Sequence, residues 1–248
     1  IVRRVCSIAI AKWRIHVHCD PFSGFERPDY FNERNRRLRI GEEERLMAAA
    51  AEEDRRRAVE LRIDELLADA VTPTKYQRMS AIREVRAEAE ATCDPVPLIS
   101  AFIQFQLMAG PRRSETLKLK WSDIDFEAQS AFLAETKNGR ARSLSLRQDV
   151  LDWLRELPRD SEYVFPMSVS YLRKAWKRVC KAAGIPVDGK DDACLRIHDL
   201  RHEAISRVSE AGSKLPGGIS VVDLQAFSGH RGTLMLLRYT HLTPGGLS

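Results

Sequence analysis

The run Arg196-Ile197-His198-Asp199-Leu200-Arg201-His202 carries two imidazoles and a guanidinium at helical spacing, where residues i, i+3 and i+4 share one face. A guanidinium binds phosphate oxygens through paired hydrogen bonds and keeps its charge, while an imidazole can move a proton near neutrality. His198, Arg201 and His202 could therefore converge on a phosphate. Two other readings fit the same run. It could open an ordinary amphipathic helix with Ile197, Leu200 and Ile205 inward, or His198 and His202 could be a zinc pair at i, i+4. Against zinc, Asp199 stands where H-E-x-x-H has its glutamate, and no further ligand follows at a familiar spacing.

A second phosphate-suited position follows Gly110, in Pro111-Arg112-Arg113-Ser114-Glu115. Proline suits a helix's first turn, which puts Arg112 near the positive end of the helix. Composition sets wider bounds. The 248 residues, 44% hydrophobic, suffice for one large domain or a domain with an appended piece, and 40 Lys+Arg against 35 Asp+Glu give +5, a mild pull toward an anionic partner. Five cysteines, odd in number and without a C-x-x-C, support neither a disulfide framework nor a cysteine zinc site, so a reducing, intracellular compartment is expected. The longest apolar run, Val96 to Gly110, is too short for a bilayer, and Val5 to Ala11 lacks the cleavage site of an export signal. No membrane contact is expected.

The elements that must position these residues are mainly helical. Ile1 to about His18 reads as a helix, and Asp20 to Arg39, with Pro21, Gly24, Pro28 and clustered arginines, reads as a solvated linker able to lie along a polyanion. Glu42 to Ala70 and Thr74 to Thr92 are charged, Ala-rich helices. A more apolar helix runs through Leu98, Phe102, Phe105 and Met108 to Gly110. The period then changes: Ala131 to Ala134 is a strand, Thr136-Lys137-Asn138-Gly139-Arg140 carries the Asn-Gly hairpin signal, and Ala141 to Leu146 returns. Leu146 to Leu157 is a helix with Val150, Leu151 and Leu154 inward. Ser170 to Ala183 turns Leu172, Trp176, Val179 and Cys180 to the core and Lys174, Lys177, Arg178 and Lys181 outward, a basic face suited to a phosphate backbone or merely to solvent. Short helices follow at Val221 to Phe227 and Thr233 to Tyr239.

Taken in order, Gly110 to Glu115, Thr136-Lys137, His198 to His202, Gly229-His230 and Arg238-Tyr239-Thr240-His241 resemble the tyrosine recombinase (phage integrase) family across roughly Gly41 to Leu242. The resemblance implies an α+β catalytic domain for DNA breaking and rejoining, mainly helical with a small antiparallel sheet at one edge. It implies Tyr239 as nucleophile forming a 3′-phosphotyrosine, and Arg112 and Arg201 as clamps on the non-bridging oxygens. Lys137 is then the acid for the departing 5′-oxygen, His198 a base or hydrogen-bond donor, and His230 a further donor. Glu115 would buttress Arg112, and His202 would stand behind the site.

The function implied is site-specific recombination or integration of a phage or other mobile element, without metal, ATP or any cofactor. The partner would be double-stranded DNA, bound by a monomer that assembles as a homotetramer on it, in the cytoplasm of a bacterial or phage-host cell, at the nucleoid. Arg113, Lys174, Lys177, Arg178 and Lys181 are the candidates for DNA contact. Residues 1–40 would be the remnant of an N-terminal DNA-binding domain plus linker, and 41–248 the catalytic domain. Three departures from the family pattern stand out: Ser228 before Gly-His, extra residues at Lys214 to Gly218, and a short tail after Tyr239 that bears on tetramer assembly. A type IB topoisomerase shares the same polar set, and a catalytically inactive DNA-binding relative is the reading from another class.

Overall fold

The structure, a computed structural model, describes residues 2–15, 36–70, 74–134, 141–187, 189, 193–214, 216–230, 232, 236 and 239. The chain divides into two compact units, Ile1–Arg34 and Asn35–Ser248. Helix α1, Val2–Trp13, belongs to the first. Most of the expected linker lies outside the described residues.

Residues 36–39 belong to the second unit. Of their arginines, Arg39 is exposed, while Arg36 and Arg37 are engaged by carboxylates of this unit. Arg36, itself buried, donates to both carboxylate oxygens of Glu42 at 2.8 Å, and Arg37 pairs with Glu203 at 2.9 Å and with Glu210.

The second unit runs α2 (Glu42–Leu66), α3 (Lys75–Thr92), α4 (Ile99–Ala109), α5 (Arg113–Thr116), β1 (Ile124–Asp125), β2 (Ser130–Leu133), β3 (Arg142–Ser145), α6 (Gln148–Glu156), α7 (Val169–Ala182), α8 (Ile197–Gly212) and α9 (Val221–Ser228). Helix α4 is apolar on nearly every side. Ile99, Phe102, Ile103 and Phe105 lose all exposure as α2, α7 and α8 pack around it. A helix so enclosed cannot leave its first N–H groups to water. Asp54 of α2 reaches across to accept from the backbone N–H of Ile99 at 2.8 Å and of Ser100 at 3.0 Å, acting as the cap that Leu98 cannot be. The inward faces expected on α6, α7 and the start of α8 are all in this core.

Strands β1, β2 and β3 form one antiparallel sheet in that order. Ala131, Leu133 and Leu144 point inward and Phe132 outward, in the two-residue alternation of a sheet with one covered face. Arg142 pairs with Leu133 and so falls in the inward phase, where an apolar side chain is the ordinary choice. The hairpin tip at 135–140, with Lys137 and the Asn-Gly turn, lies outside the described residues. So does most of the expected helix at Thr233 to Tyr239; its described residues Leu236 and Tyr239 are in turns. Among the described residues no helix is long and apolar enough to cross a membrane.

Helix α8 is anchored by Glu203, whose buried carboxylate takes hydrogen bonds from Arg37, from Arg207 at 2.8 Å and from the N–H of Leu38 at 3.1 Å. Burial alone would push this carboxyl up, but the two guanidiniums and the N–H outweigh it and hold it at about 2. A carboxyl depressed in the folded state contributes stability above its unfolded value and loses it as pH falls through the folded one. Urea midpoints should therefore decline between about pH 4.5 and 2, where unfolded and folded forms differ in protonation. Glu203→Gln should flatten that decline and cost about 1–3 kcal/mol near neutrality, a figure discounted because both arginines are partly solvated. Parallel wild-type and mutant curves would refute this anchor.

Candidate active site

The site forms where two helix C-termini meet. Helix α4 ends at Gly110 and α9 at Gly229, both left-handed with φ of 61° and 64°. Glycine takes that conformation without strain, and it leaves carbonyls of the last turn without helical partners. Three arginines satisfy carbonyls at these ends. Arg201 of α8 donates to Gly110 O at 2.6 Å and to Ser228 O, Arg112 to Gly229 O at 3.1 Å, and Arg142 to Phe227 O at 3.4 Å. The negative end of a helix dipole favours cations there.

One carboxylate orders two of these guanidiniums. Glu115 accepts from the backbone N–H of Arg112 at 2.9 Å, from its Nη1 at 2.7 Å and from Arg142 Nη2 at 3.0 Å. Burial would raise the Glu115 carboxyl, but its hydrogen bonds from Arg112 and the Arg142 charge bring it below the usual range. For Arg201, burial and then the charges of Arg112 and Arg142 pull the guanidinium down to about 10. It remains protonated near neutrality, beside two like charges and one carboxylate. Such a pocket is short of negative charge and suits an anionic group.

The same helix holds the tyrosine. His202 Nδ1 contacts the Tyr239 hydroxyl, the two rings lie 6.0 Å apart at 22°, and Ser209 Oγ donates to the Tyr239 carbonyl. Tyr239 is 5% exposed and packs with Ile205, Leu224 and Leu236. Thus His202, expected behind the site, touches the hydroxyl expected to do the chemistry.

His198 is exposed and sets its ring edge-on to His202 at 4.7 Å. Asp199 is used as a cap, accepting from Arg196 N at 2.8 Å. His230 Nδ1 lies 2.8 Å from the hydroxyl of Ser228. The serine that departs from the family pattern therefore has a task here: its side chain orients His230 while its carbonyl holds Arg201. Lys137, Arg238 and His241 lie outside the described residues.

The expected DNA contacts Arg113, Lys174, Lys177, Arg178 and Lys181 are all exposed. Arg178 also pairs with Glu53 of α2, with Nε 2.9 Å from Oε2, and so ties α7 to α2. Sequence reasoning missed Arg142. Its signal was present: 142, 144 and 146 share one phase of the strand, and arginine at an apolar phase marks a buried charge in need of a partner.

The same fold occurs in lambda integrase residues 75–356, solved as a dimer bound to a COC' core site, with a TM-score of 0.59 at 16% identity over 100% of this chain and 72% of that one. The integrase of transposon Tn1549, in complex with a circular intermediate DNA, gives 0.53 at 15% identity over 97% and 72%. Residues 76–245 match the phage integrase family, and the chain belongs to it. A shufflon-specific DNA recombinase of Escherichia coli is 36% identical over 146 residues, 58% of this chain and 35% of the relative. The integrase of Salmonella phage P22 is 27% identical over 170 residues, 60% and 41%. Tyrosine recombinase XerA of Saccharolobus solfataricus is 30% identical over 143 residues, 56% and 44%. The matched stretch thus spans less than half the length of each of these relatives.

Proposed function

We propose that this protein is a site-specific DNA recombinase that cleaves and rejoins strands through a 3′-phosphotyrosine at Tyr239. The observation that carries this reading is the meeting of Arg112, Arg142 and Arg201 around one carboxylate, with Arg201 on the helix that holds the tyrosine hydroxyl. Arg112 and Arg201 bind the non-bridging oxygens and stabilise the pentacoordinate transition state, the charge compensation that metal ions give in nucleases. Cleavage then needs no ATP and survives EDTA. Because Arg201 is only 2% exposed, DNA must displace what covers it. His198 and His230 are suited to hydrogen bonds with the phosphate. Arg113, Lys174, Lys177, Arg178 and Lys181 are suited to the backbone on either side, Arg178 while also paired with Glu53.

The protein acts on double-stranded DNA inside the cell, as a monomer in solution and four copies on the recombining duplexes. The lambda enzyme has been solved as a tetramer bound to a Holliday junction. A pool of nicked suicide duplexes with a randomised core tests the reading. SDS-resistant complexes should return one inverted-repeat sequence. Adducts without sequence enrichment, together with relaxation of any supercoiled plasmid, would favour a type IB topoisomerase; no adduct at all would favour a DNA-binding relative.

Lys137, following β2 in sequence, is the proposed acid for the 5′-oxygen. Lys137→Ala should slow cleavage by about 10²–10⁴-fold, the range typical of acid catalysis. A 5′-bridging phosphorothiolate leaves with little protonation, so it should rescue Lys137→Ala and not an Arg201 variant. Equal rescue of both would refute the division of labour.

A further inference from the structure

We infer that His202 is the proton acceptor for the Tyr239 hydroxyl, an inference resting on the recombinase reading above. Positions 202, 205 and 209 of α8 fall on one helical stripe, at i, i+3 and i+7. That stripe meets Tyr239 at its hydroxyl through His202, in its apolar cluster through Ile205 and at its backbone carbonyl through Ser209. The phenol is thereby held on the helix that carries Arg201, with its oxygen on an imidazole nitrogen.

Both groups suit the task. A phenol attacks phosphorus poorly until its proton is taken, and a neutral imidazole is a group able to take it. In the tautomer with its proton on Nε2, His202 accepts through Nδ1. As the bond from the Tyr239 oxygen to phosphorus forms and the bond to the 5′-oxygen breaks, the phenolic proton passes to Nδ1 and the acid protonates the leaving oxygen. In rejoining, the incoming 5′-hydroxyl loses its proton to that acid's conjugate base, and the departing tyrosine regains its own from His202. His198, edge-on to His202, is left to hydrogen-bond the phosphate.

The alternative is that His202 merely holds the ring. Asparagine separates the two, because its carboxamide can accept the hydroxyl's hydrogen bond but cannot carry the proton away. His202→Asn and His202→Ala should both bind suicide duplexes at wild-type affinity and cleave about 10²–10⁴-fold more slowly. Added imidazole should restore rate to His202→Ala, and a 5′-bridging phosphorothiolate should restore neither. Cleavage by His202→Asn within a few-fold of wild type, or rescue by the phosphorothiolate, would overturn the inference. If wild-type protein forms no adduct, the recombinase reading itself falls and takes this inference with it. A readout without DNA checks the contact: with nitrogen-15 histidine, Tyr239→Phe should shift the His202 Nδ1 resonance, and an unmoved signal would overturn the inference.

Discussion

Tyr239→Phe should abolish the covalent DNA complex while the protein folds and binds DNA almost as before. The ring is held by Ile205, Leu224 and Leu236 and the backbone carbonyl by Ser209, and phenylalanine keeps all of these. What it loses is the hydroxyl's contact with His202, about 1 kcal/mol for a typical net hydrogen bond. The chemical loss is of another order, because no other group at this position can form the phosphotyrosine. Adduct on a suicide duplex should drop to background while filter-binding affinity stays within a few-fold of wild type. Adduct at the wild-type level in this variant would remove Tyr239 from the mechanism.

Arg201→Lys should be nearly as damaging, although it conserves charge. The guanidinium is planar and donates to Gly110 O from one terminal nitrogen and to Ser228 O from the other, which ties the ends of α4 and α9 together. A lysine ammonium is a single point that cannot span both carbonyls and also meet a phosphate. Loss of one such preorganised donor costs about 10²–10³ in rate. An unsatisfied buried carbonyl adds about 1–3 kcal/mol of instability. Single-turnover cleavage should therefore fall by at least the former factor and the thermal midpoint by several degrees. Unchanged cleavage would mean that Arg201 is structural only. Arg112→Lys should show the rate loss with less instability, because Arg112 joins the end of α9 to Glu115 in its own turn rather than spanning two helix ends.

The two arginine variants also mark how far the sequence could be read. Gly110 and Pro111 punctuate the chain strongly, so the end of α4 and the place of Arg112 were legible from local backbone preferences. The inward faces of α6 and α7 were legible for a similar reason: apolar spacing is a local signal. What local signals lack is the identity of the partner across the fold. Arg178 belongs to the outer face of α7 by spacing, yet it is drawn to Glu53, and Arg37 finds Glu203 from the far end of the chain. Spacing likewise put His202 beside His198 but could not say that its ring nitrogen would meet Tyr239. Arg142 is the intermediate case. Its strand phase betrayed a buried charge, while the carboxylate and carbonyl that receive it come from α5 and α9.

The measurement that bears most directly on the central claim is mass mapping of the protein–DNA linkage. Wild-type protein trapped on a suicide duplex, then digested with nuclease and protease, should yield a single modified peptide, the one containing Tyr239, carrying a nucleotide attached through its 3′-phosphate. A nucleotide on any other residue, or one attached through a 5′-phosphate, would contradict the account.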